Sequence, residues 1–199
     1  MICLGIETSC DETACGVVRD GREVLSNVVR SQAALHAPYG GIVPEIASRA
    51  HVEDILRVLR TALAEAGVTP AAIDVLAVTN RPGLIGSLIV GLMAAKALAF
   101  AWRKPLHAVD HLHAHIVAAA LGTGQLRVPS VGLVVSGGHT SLLAVHDALT
   151  VRPLGGTTDD AAGEAFEKVA PILGLGYPCL LYTFPSPRDS TRFRMPPFD

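Results

Sequence analysis

The sequence predicts an α/β fold built from two related domains that face each other across a cleft. Two observations lead to this prediction. The first part of the chain alternates short apolar runs with longer runs of helical spacing, in the order βββ, then α, β, α, β, α. Residues 130–153 then repeat the opening pattern of strand, polar turn, strand, turn, strand. An internal repeat of this kind is typical of a duplicated domain.

The individual elements follow from apolar spacing and turn residues. Strands are predicted where short apolar runs lie between turn residues, at 2–7, 14–18, 23–29, 73–79, 106–109, 130–135, 142–145 and 149–153. Helices are predicted where apolar residues recur with a helical period, from Pro44 to before Gly67, over 84–100, from His111, and from the capping residues Asp159 and Asp160 to about Leu173. The run 84–100 is short for a membrane span and contains Lys96, which favours a buried helix.

Composition narrows the class of protein. The 199-residue chain is 50% hydrophobic and 17% charged, which is enough apolar material for a real core. Its formal net charge of −2 provides no overall basic field for nucleic acid or an acidic membrane surface, so such a partner requires a local patch or a basic partner subunit. The four cysteines form neither zinc-type pairs nor a secreted framework, and Glu7 comes too early for a signal peptide. We expect a reduced, cytoplasmic protein.

The segment 109–115 contains two histidines with the spacing of a metal site. His111 and His115 are four residues apart, which places both imidazoles on one face of a helix, while His113 points elsewhere. On a strand all three rings would share a face, but the apolar residues that follow favour a helix. Two histidines do not complete a metal site. For an isolated pair, the polar face of a surface helix is the simpler interpretation, so the surrounding sequence has to decide.

Two polar turns that follow buried strands are candidate anion-binding loops. They lie at 8–13 and 136–140, one in each repeat. Consecutive backbone N–H groups at such turns bind anions, and Gly137 and Gly138 allow the backbone to approach a ligand closely. Together the loops predict a clamp on the phosphate of a nucleotide, although two ordinary hairpins would give the same pattern. The turn at 81–87 predicts either a helix N-terminus facing an anion or a helix start whose small residues permit close packing.

Six motifs, in order along residues 1–178, resemble the TsaD/Gcp family of tRNA N6-adenosine threonylcarbamoyltransferases, in its bacterial or organellar form. They lie at 4–13, 39–49, 82–84, 111–115, 135–140 and 159–166. The resemblance implies an α/β fold of the actin/hexokinase-like (ASKHA) type, with tandem ribonuclease-H-like domains. It implies a first domain over 1–128 that includes the histidine helix, and the start of a second, truncated domain over 129–178.

The resemblance also implies an acyl transfer reaction. Family members move a threonylcarbamoyl group from threonylcarbamoyl-adenylate to the N6 amine of the adenosine next to the anticodon, in tRNAs that read codons beginning with A. Bacterial members work with a metal-free paralogue, TsaB, and a small ATPase, TsaE. We therefore expect tRNA, a TsaB-like protein and a TsaE-like ATPase as partners, and no membrane.

Site residues are carried over onto the matching positions. The resemblance implies that His111 and His115 bind one divalent metal ion, iron or zinc. It assigns contacts with threonylcarbamoyl-adenylate to the second polar loop and to one position in the last predicted helix, namely Val134, Val135, Ser136, Gly137, Gly138 and Glu167. Asp11 and Glu12, in the first loop, are candidate catalytic residues that would orient groups or take the amine proton, and the sequence does not choose between them.

The chain departs from the family pattern in its last part. Glu167 stands where the family usually has aspartate, and Cys179-Leu180 follows Tyr177-Pro178 where the family continues with two glycines. We expect residues 179–199 to be a non-family tail, disordered or artefactual. An aspartate that completes the metal site in the family and an asparagine that binds the adenylate would then be missing, so we expect an incomplete copy with doubtful activity.

Other functions are compatible with parts of the pattern. A metal-dependent endopeptidase is an older label for the family, but the sequence lacks H-E-x-x-H and Leu112 stands where that motif has glutamate. A kinase of the same superfold would have no use for the histidine pair. A non-catalytic pseudoenzyme that binds partner proteins is the third alternative, and the presence of both His111 and His115 argues against it.

Overall fold

The structure, a computed structural model, describes residues 1–121 and 125–174. Its strands are β1 (Ile2–Glu7), β2 (Glu12–Arg19), β3 (Glu23–Ser31), β4 (Val75–Arg81), β5 (Leu106–Asp110), β6 (Ser130–Val135), β7 (Thr140–Val145) and β8 (Val151–Gly156). Its helices are α1 (Ala33–His36), α2 (Pro44–Glu65), α3 (Ile85–Trp102), α4 (His111–Leu121) and α5 (Ala162–Val169). Short 3-10 turns lie at Ala37–Tyr39, Pro70–Ala72 and Ala170–Leu173.

Two sheets carry the repeat that the sequence predicts. The first has the strand order β3-β2-β1-β4-β5 and the second the order β6-β7-β8. Both begin with three antiparallel strands that are neighbours in the chain. Strands β4 and β5 extend the first sheet by parallel pairing, because α2 and α3 return the chain to the same edge before each of them. The predicted α/β fold class is confirmed.

The first core lies between one face of the five-stranded sheet and α2. Alternate residues of the strands point into it, as Leu4 and Ile6 of β1 do, because side chains of a strand alternate between faces. Residues of α2 with helical spacing, Ile55, Val58 and Leu59, cover them. This packing holds the carboxyl ends of β1, β4 and β5 in a fixed arrangement.

Helix α3 packs through small side chains, and its larger apolar residues stay exposed. Thr8 Oγ1 donates to the carbonyl of Ser87 at 2.9 Å, and a Cβ on Gly91 would lie only 2.3 Å from Thr8 Oγ1. The exposed apolar residues are Ile85, Ile89, Met93 and Phe100. The prediction of a buried helix is therefore wrong for one face. By length and composition α3 would suffice to cross a membrane, yet here it packs on β4 and α2.

A second, smaller core joins α4 to the second sheet. Ile116 of α4 packs with buried residues of β6, β7 and β8, namely Val134, Leu143, Val145 and Val151. Gly132 makes the close approach possible, since a Cβ there would lie 2.3 Å from Ile116 Cδ1. The helix that begins with His111 also contacts β4 and β5, so it connects the two sheets.

Helix α5 begins later than predicted and has a different cap. The expected cap at Asp159 and Asp160 is wrong, because the helix starts at Ala162 and its backbone N–H donates to Thr140 Oγ1 at 2.8 Å. Asp160 instead accepts a hydrogen bond from Lys168 Nζ at 2.5 Å. A side chain of β7 therefore fixes the start of α5. The predicted tail at 179–199 lies outside the described residues.

Candidate functional site

A cleft of about 470 Å³ lies between the two sheets, at the carboxyl ends of β1 and β6. Most predicted site residues line it together. They are Asp11, Glu12, His111, His115, Ser136, Gly137, Gly138 and Glu167. The polar loops of both repeats therefore border one space. Below they are called the acidic loop (residues 9–12) and the glycine loop (residues 136–139).

The side chains of Val134 and Val135 do not line the cleft. Val134 is buried in the second core, and Val135, on the opposite face of β6, is 53% exposed. These two residues lead into the glycine loop, which is closed by hydrogen bonds between Ser136 and His139: the Ser136 N–H donates to the His139 carbonyl at 2.8 Å, and the His139 N–H to Ser136 Oγ at 3.0 Å. Of the two valines, Val134 anchors the loop by packing in the second core.

The two predicted ligand histidines point their Nε2 atoms at each other. The His111 and His115 Nε2 atoms are 3.1 Å apart, and the rings meet edge to face with centroids 4.5 Å apart. Burial lowers the pKa of His115, and the nearby His111 lowers it further. The neutral imidazole, which is the form that binds metal, is therefore favoured at His115.

Glu7 orients the His111 ring from behind. His111 Nδ1 donates to Glu7 Oε2 at 3.1 Å, while Thr79 Oγ1 donates to the same oxygen at 2.6 Å and the Ser9 N–H to Oε1 at 2.5 Å. Burial alone would raise the pKa of Glu7, but the hydrogen bonds from His111, Thr79 and Ser9 outweigh it and lower the pKa to about 2. Glu7 is therefore a carboxylate at neutral pH, and its hydrogen bond leaves the Nε2 lone pair of a neutral His111 facing the cleft.

Asp110 fixes the start of the helix that carries the pair. Its Oδ1 accepts from the N–H groups of Leu112 at 3.0 Å and His113 at 3.3 Å, which is the pattern of an N-cap. Arg81, at the end of β4, holds the other carboxylate oxygen at 3.4 Å. The adjacent ends of β4 and β5 therefore set the position of His111.

Two carboxylates that line the cleft, Glu12 in the acidic loop and Glu167 on α5, have raised pKa values. Burial raises the pKa of Glu12, and the nearby charges of Asp11 and Glu7 raise it further. Burial likewise raises the pKa of Glu167, with added repulsion from Asp11 and Glu164. A carboxylate of raised pKa is a better proton acceptor. The cleft thus offers bases beside the histidine pair.

Two glycines allow other backbone segments to pack closely against the two loops that line the cleft. Gly83 has φ +156°, and a Cβ on it would lie 2.5 Å from the Ser9 carbonyl oxygen. A Cβ on Gly163, the second residue of α5, would lie 2.6 Å from the Ser136 oxygen and 2.7 Å from the Gly137 nitrogen. These contacts seat the turn before α3 on the acidic loop, and α5 on the glycine loop.

The histidine pair fits two positions of one metal ion. Two nitrogens 3.1 Å apart can both lie about 2.1 Å from a transition metal, and a carboxylate behind a ligand histidine is the usual outer partner. His139 is the nearest further ring, with its centroid 5.8 Å from that of His111. Within residues 1–121 and 125–174, no three His, Cys, Asp or Glu side chains are grouped to hold a metal. Among the described residues, His111 and His115 are thus the two candidate ligands.

Sequence reasoning missed several residues of this site. Glu7 lies in the motif at 4–13, but the sequence did not predict a role for it. Asp110, Gly83 and His139 also contribute to the site and were likewise not predicted. The available signal for Glu7 was a charged residue closing an otherwise apolar run of strand length. For Asp110 it was an Asp directly before a predicted helix.

The chain is similar to one family of known proteins. A family model described as "TsaD: tRNA N6-adenosine threonylcarbamoyltransferase" matches residues 23–193. A tRNA N6-adenosine threonylcarbamoyltransferase of Syntrophobacter fumaroxidans is 63% identical over 178 residues, covering 89% of this chain and 52% of the relative. One from Syntrophomonas wolfei is 58% identical, covering 88% and 52%. The chain spans about half the length of these curated relatives.

Solved structures show the same fold at low identity. YeaZ from Pseudomonas aeruginosa superposes with a TM-score of 0.51 at 18% identity, covering 82% of this chain and 70% of that one. Component A of the (R)-2-hydroxyglutaryl-CoA dehydratase of Acidaminococcus fermentans gives a TM-score of 0.53 at 13% identity, covering 88% and 55%. The predicted actin/hexokinase-like α/β fold is confirmed. With the family match over most of its length, the chain belongs to the TsaD family of tRNA N6-adenosine threonylcarbamoyltransferases.

Proposed function

We propose that the cleft performs threonylcarbamoyl transfer from threonylcarbamoyl-adenylate to the N6 amine of the adenosine next to the anticodon, in tRNAs reading codons that begin with A. The observation that carries this proposal is the convergence of the histidine pair with the acidic and glycine loops around one cleft. An acyl transfer from an adenylate needs an anion-holding backbone, a proton acceptor and a means of orienting the acyl oxygens, and each has a candidate group there.

The proposed chemistry is nucleophilic acyl substitution. The adenosine N6 attacks the carbamoyl carbon, a C–N bond forms, the bond from that carbon to the phosphate oxygen breaks, and AMP leaves. Asp11 or Glu12 accepts the proton that the amine loses, and both remain candidates. Backbone N–H groups of the glycine loop, at Gly137 and Gly138, hold the phosphate or carbamoyl oxygens. Glu167, whose carboxylate lies 3.6 Å from where a Gly137 Cβ would be, borders the same oxygens.

We further propose that His111 and His115 hold one divalent metal ion, iron or zinc. Such an ion acts as a Lewis acid that orients and polarises substrate oxygens. Two protein ligands leave its other positions to water, substrate oxygens or groups outside the described residues. Glu7 keeps the His111 ring in the orientation that binding requires.

Partner proteins are proposed on the basis of charge. The chain has a formal net charge of −2, and the cleft itself is lined by carboxylates, which repel tRNA phosphates. A basic surface is therefore needed beside the cleft. We propose that a TsaB-like paralogue shares the tRNA-binding surface with this chain. We also propose that a TsaE-like ATPase acts together with these two proteins.

Transfer of labelled threonine from the adenylate to tRNA tests the proposed reaction. The chain is incubated with adenylate labelled in its threonine, with the partner proteins, and with tRNA transcripts that differ only in having adenosine or guanosine next to the anticodon. Label should enter only the adenosine transcript. The whole-length Syntrophobacter relative serves as positive control. Failure of this chain to label the transcript that the relative labels, or equal labelling of both transcripts, would contradict the proposal.

The substitution Glu7→Gln tests the proposed metal site independently of transfer. Glutamine is a weaker acceptor for the His111 Nδ1–H and presents an N–H group toward Thr79 or Ser9, which already donate. Metal affinity should fall roughly 10- to 100-fold, as it does when an outer carboxylate partner is lost. Competition with a chromogenic chelator measures the dissociation constant. Glu53→Gln, on the exposed side of α2, is the matched control and should bind as the unaltered chain does. Equal affinities in both variants would remove Glu7 from the site.

A further inference from the structure

Four buried polar side chains lie together behind the acidic loop. Thr13, Gln32, His36 and His51 are each at most 1% exposed. They come from β2, from the segment before α1, from α1 and from α2. Polar groups buried this completely are costly unless they are paired, so their hydrogen bonds must be nearly all satisfied. The proposed reaction uses none of them.

The tautomer of the His36 ring is fixed by a backbone N–H group, which can only donate a hydrogen bond. The Val43 N–H donates to His36 Nδ1 at 3.3 Å, so Nδ1 carries no proton. The proton of the neutral ring is then on Nε2, which donates to Gln32 Oε1 at 3.2 Å. This bond also fixes the orientation of the Gln32 amide, with its nitrogen on the other side.

The tautomer of the His51 ring is fixed by a backbone carbonyl, which can only accept a hydrogen bond. The Cys10 carbonyl accepts from His51 Nε2 at 3.0 Å, so that nitrogen carries the proton. His51 Nδ1 then accepts from Thr13 Oγ1 at 2.7 Å and from Gln32 Nε2 at 3.3 Å. Both constraints agree on one orientation of Gln32, although they arise at opposite ends of the network.

Both ends of this network lie at the cleft. At one end, Cys10 of the acidic loop lines the cleft. At the other end, the cleft is lined by Ile42, the residue before Val43. The hydrogen bonds therefore run in one direction from the turn at 40–43, through His36, Gln32 and His51, to the acidic loop. Reversing any member would leave two donors or two acceptors facing each other in the interior, at a cost of about 1–3 kcal/mol for each group left unpaired.

We propose that His36, Gln32 and His51 form a directional hydrogen-bond relay that positions the acidic loop and couples it to the turn at 40–43. His51 is thus a positioning residue, since it acts on the cleft only through the Cys10 carbonyl. The relay gives a role to the motif at 39–49, which the sequence singled out without assigning any chemistry to it. It does not depend on which molecule the cleft binds.

The substitution Gln32→Glu tests the relay, because it keeps the size of the side chain and replaces its only donor by an acceptor. In the unaltered chain, ¹⁵N NMR of the imidazoles should show both His36 and His51 as neutral rings with the proton on Nε2. In the variant, His51 should gain a proton on Nδ1. Amide hydrogen exchange should accelerate on the order of tenfold, the equivalent of one lost hydrogen bond, at residues 9–12 and at Val43.

The matched control is Asn27→Asp, the same change of amide to acid at an exposed position of β3 that does not line the cleft. It should leave both histidine signals and both exchange rates unchanged. Acceleration in Gln32→Glu confined to one end, or equal to that in Asn27→Asp, would overturn the coupling. A proton on Nδ1 of either ring in the unaltered chain would overturn the relay itself. Because this NMR measurement uses the unaltered chain, it tests the relay even if the variant does not fold.

Discussion

Replacing both His111 and His115 with alanine should reduce bound divalent metal to background and lower threonylcarbamoyl transfer by at least about 100-fold. The two Nε2 atoms, 3.1 Å apart, are the proposed ligands, and the described residues contain no group of three or more His, Cys, Asp or Glu side chains that could hold the ion instead. Loss of a Lewis acid that polarises the acyl oxygens removes several kcal/mol of transition-state stabilisation, which corresponds to this factor.

His113→Ala is the control for this experiment. His113 lies on the same helix between the two proposed ligands, where the helical period turns it to another face. Alanine favours the helix in both variants, so a difference between them reports ligand loss and not helix loss. Metal content by elemental analysis and single-turnover transfer should stay normal in His113→Ala. Normal metal content and normal rate in the double variant would remove the histidines from the reaction.

The histidine pair was predictable from sequence because its geometry is local. A spacing of four residues on a helix brings His111 and His115 together whatever the rest of the fold does. The Glu7–His111 hydrogen bond joins residues 104 positions apart and depends on β1, β4 and β5 ending side by side. No periodicity in the sequence contains that strand order, so the role of Glu7 emerged only from the structure.

The same distinction between local and distant interactions explains the errors in the predicted fold. Short apolar runs located β1 and β6 to the residue, since each run lies between clear turns. Apolar residues are spread around α3, so composition could not show that only the face with Ser87, Gly91 and Ala95 is buried. The start of α5 is set by Thr140, 22 residues earlier in the chain, and not by the acidic residues next to the helix.

Gly163→Ala should damage the cleft more than it damages the fold. By helix propensity the change is favourable by about 0.5–1 kcal/mol, because alanine loses less backbone entropy than glycine. The contacts oppose this gain: the new Cβ would lie 2.6 Å from the Ser136 oxygen and 2.7 Å from the Gly137 nitrogen, and both are backbone atoms that cannot rotate away. The glycine loop must move, and we expect a net loss of roughly 1–3 kcal/mol, typical of overpacking.

The consequence for transfer is larger, because the displaced atoms are the proposed anion-holding backbone. A shift of about 1 Å in a group that positions substrate costs on the order of 100-fold in rate, so transfer should fall by about that factor well below the melting temperature. Gly155→Ala in β8, where a Cβ would meet no atom within 4 Å, is the matched control and should change neither rate nor stability appreciably. If Gly163→Ala lost stability but transferred normally, the glycine loop would hold no reacting group, and the anion site would have to be sought on the acidic loop.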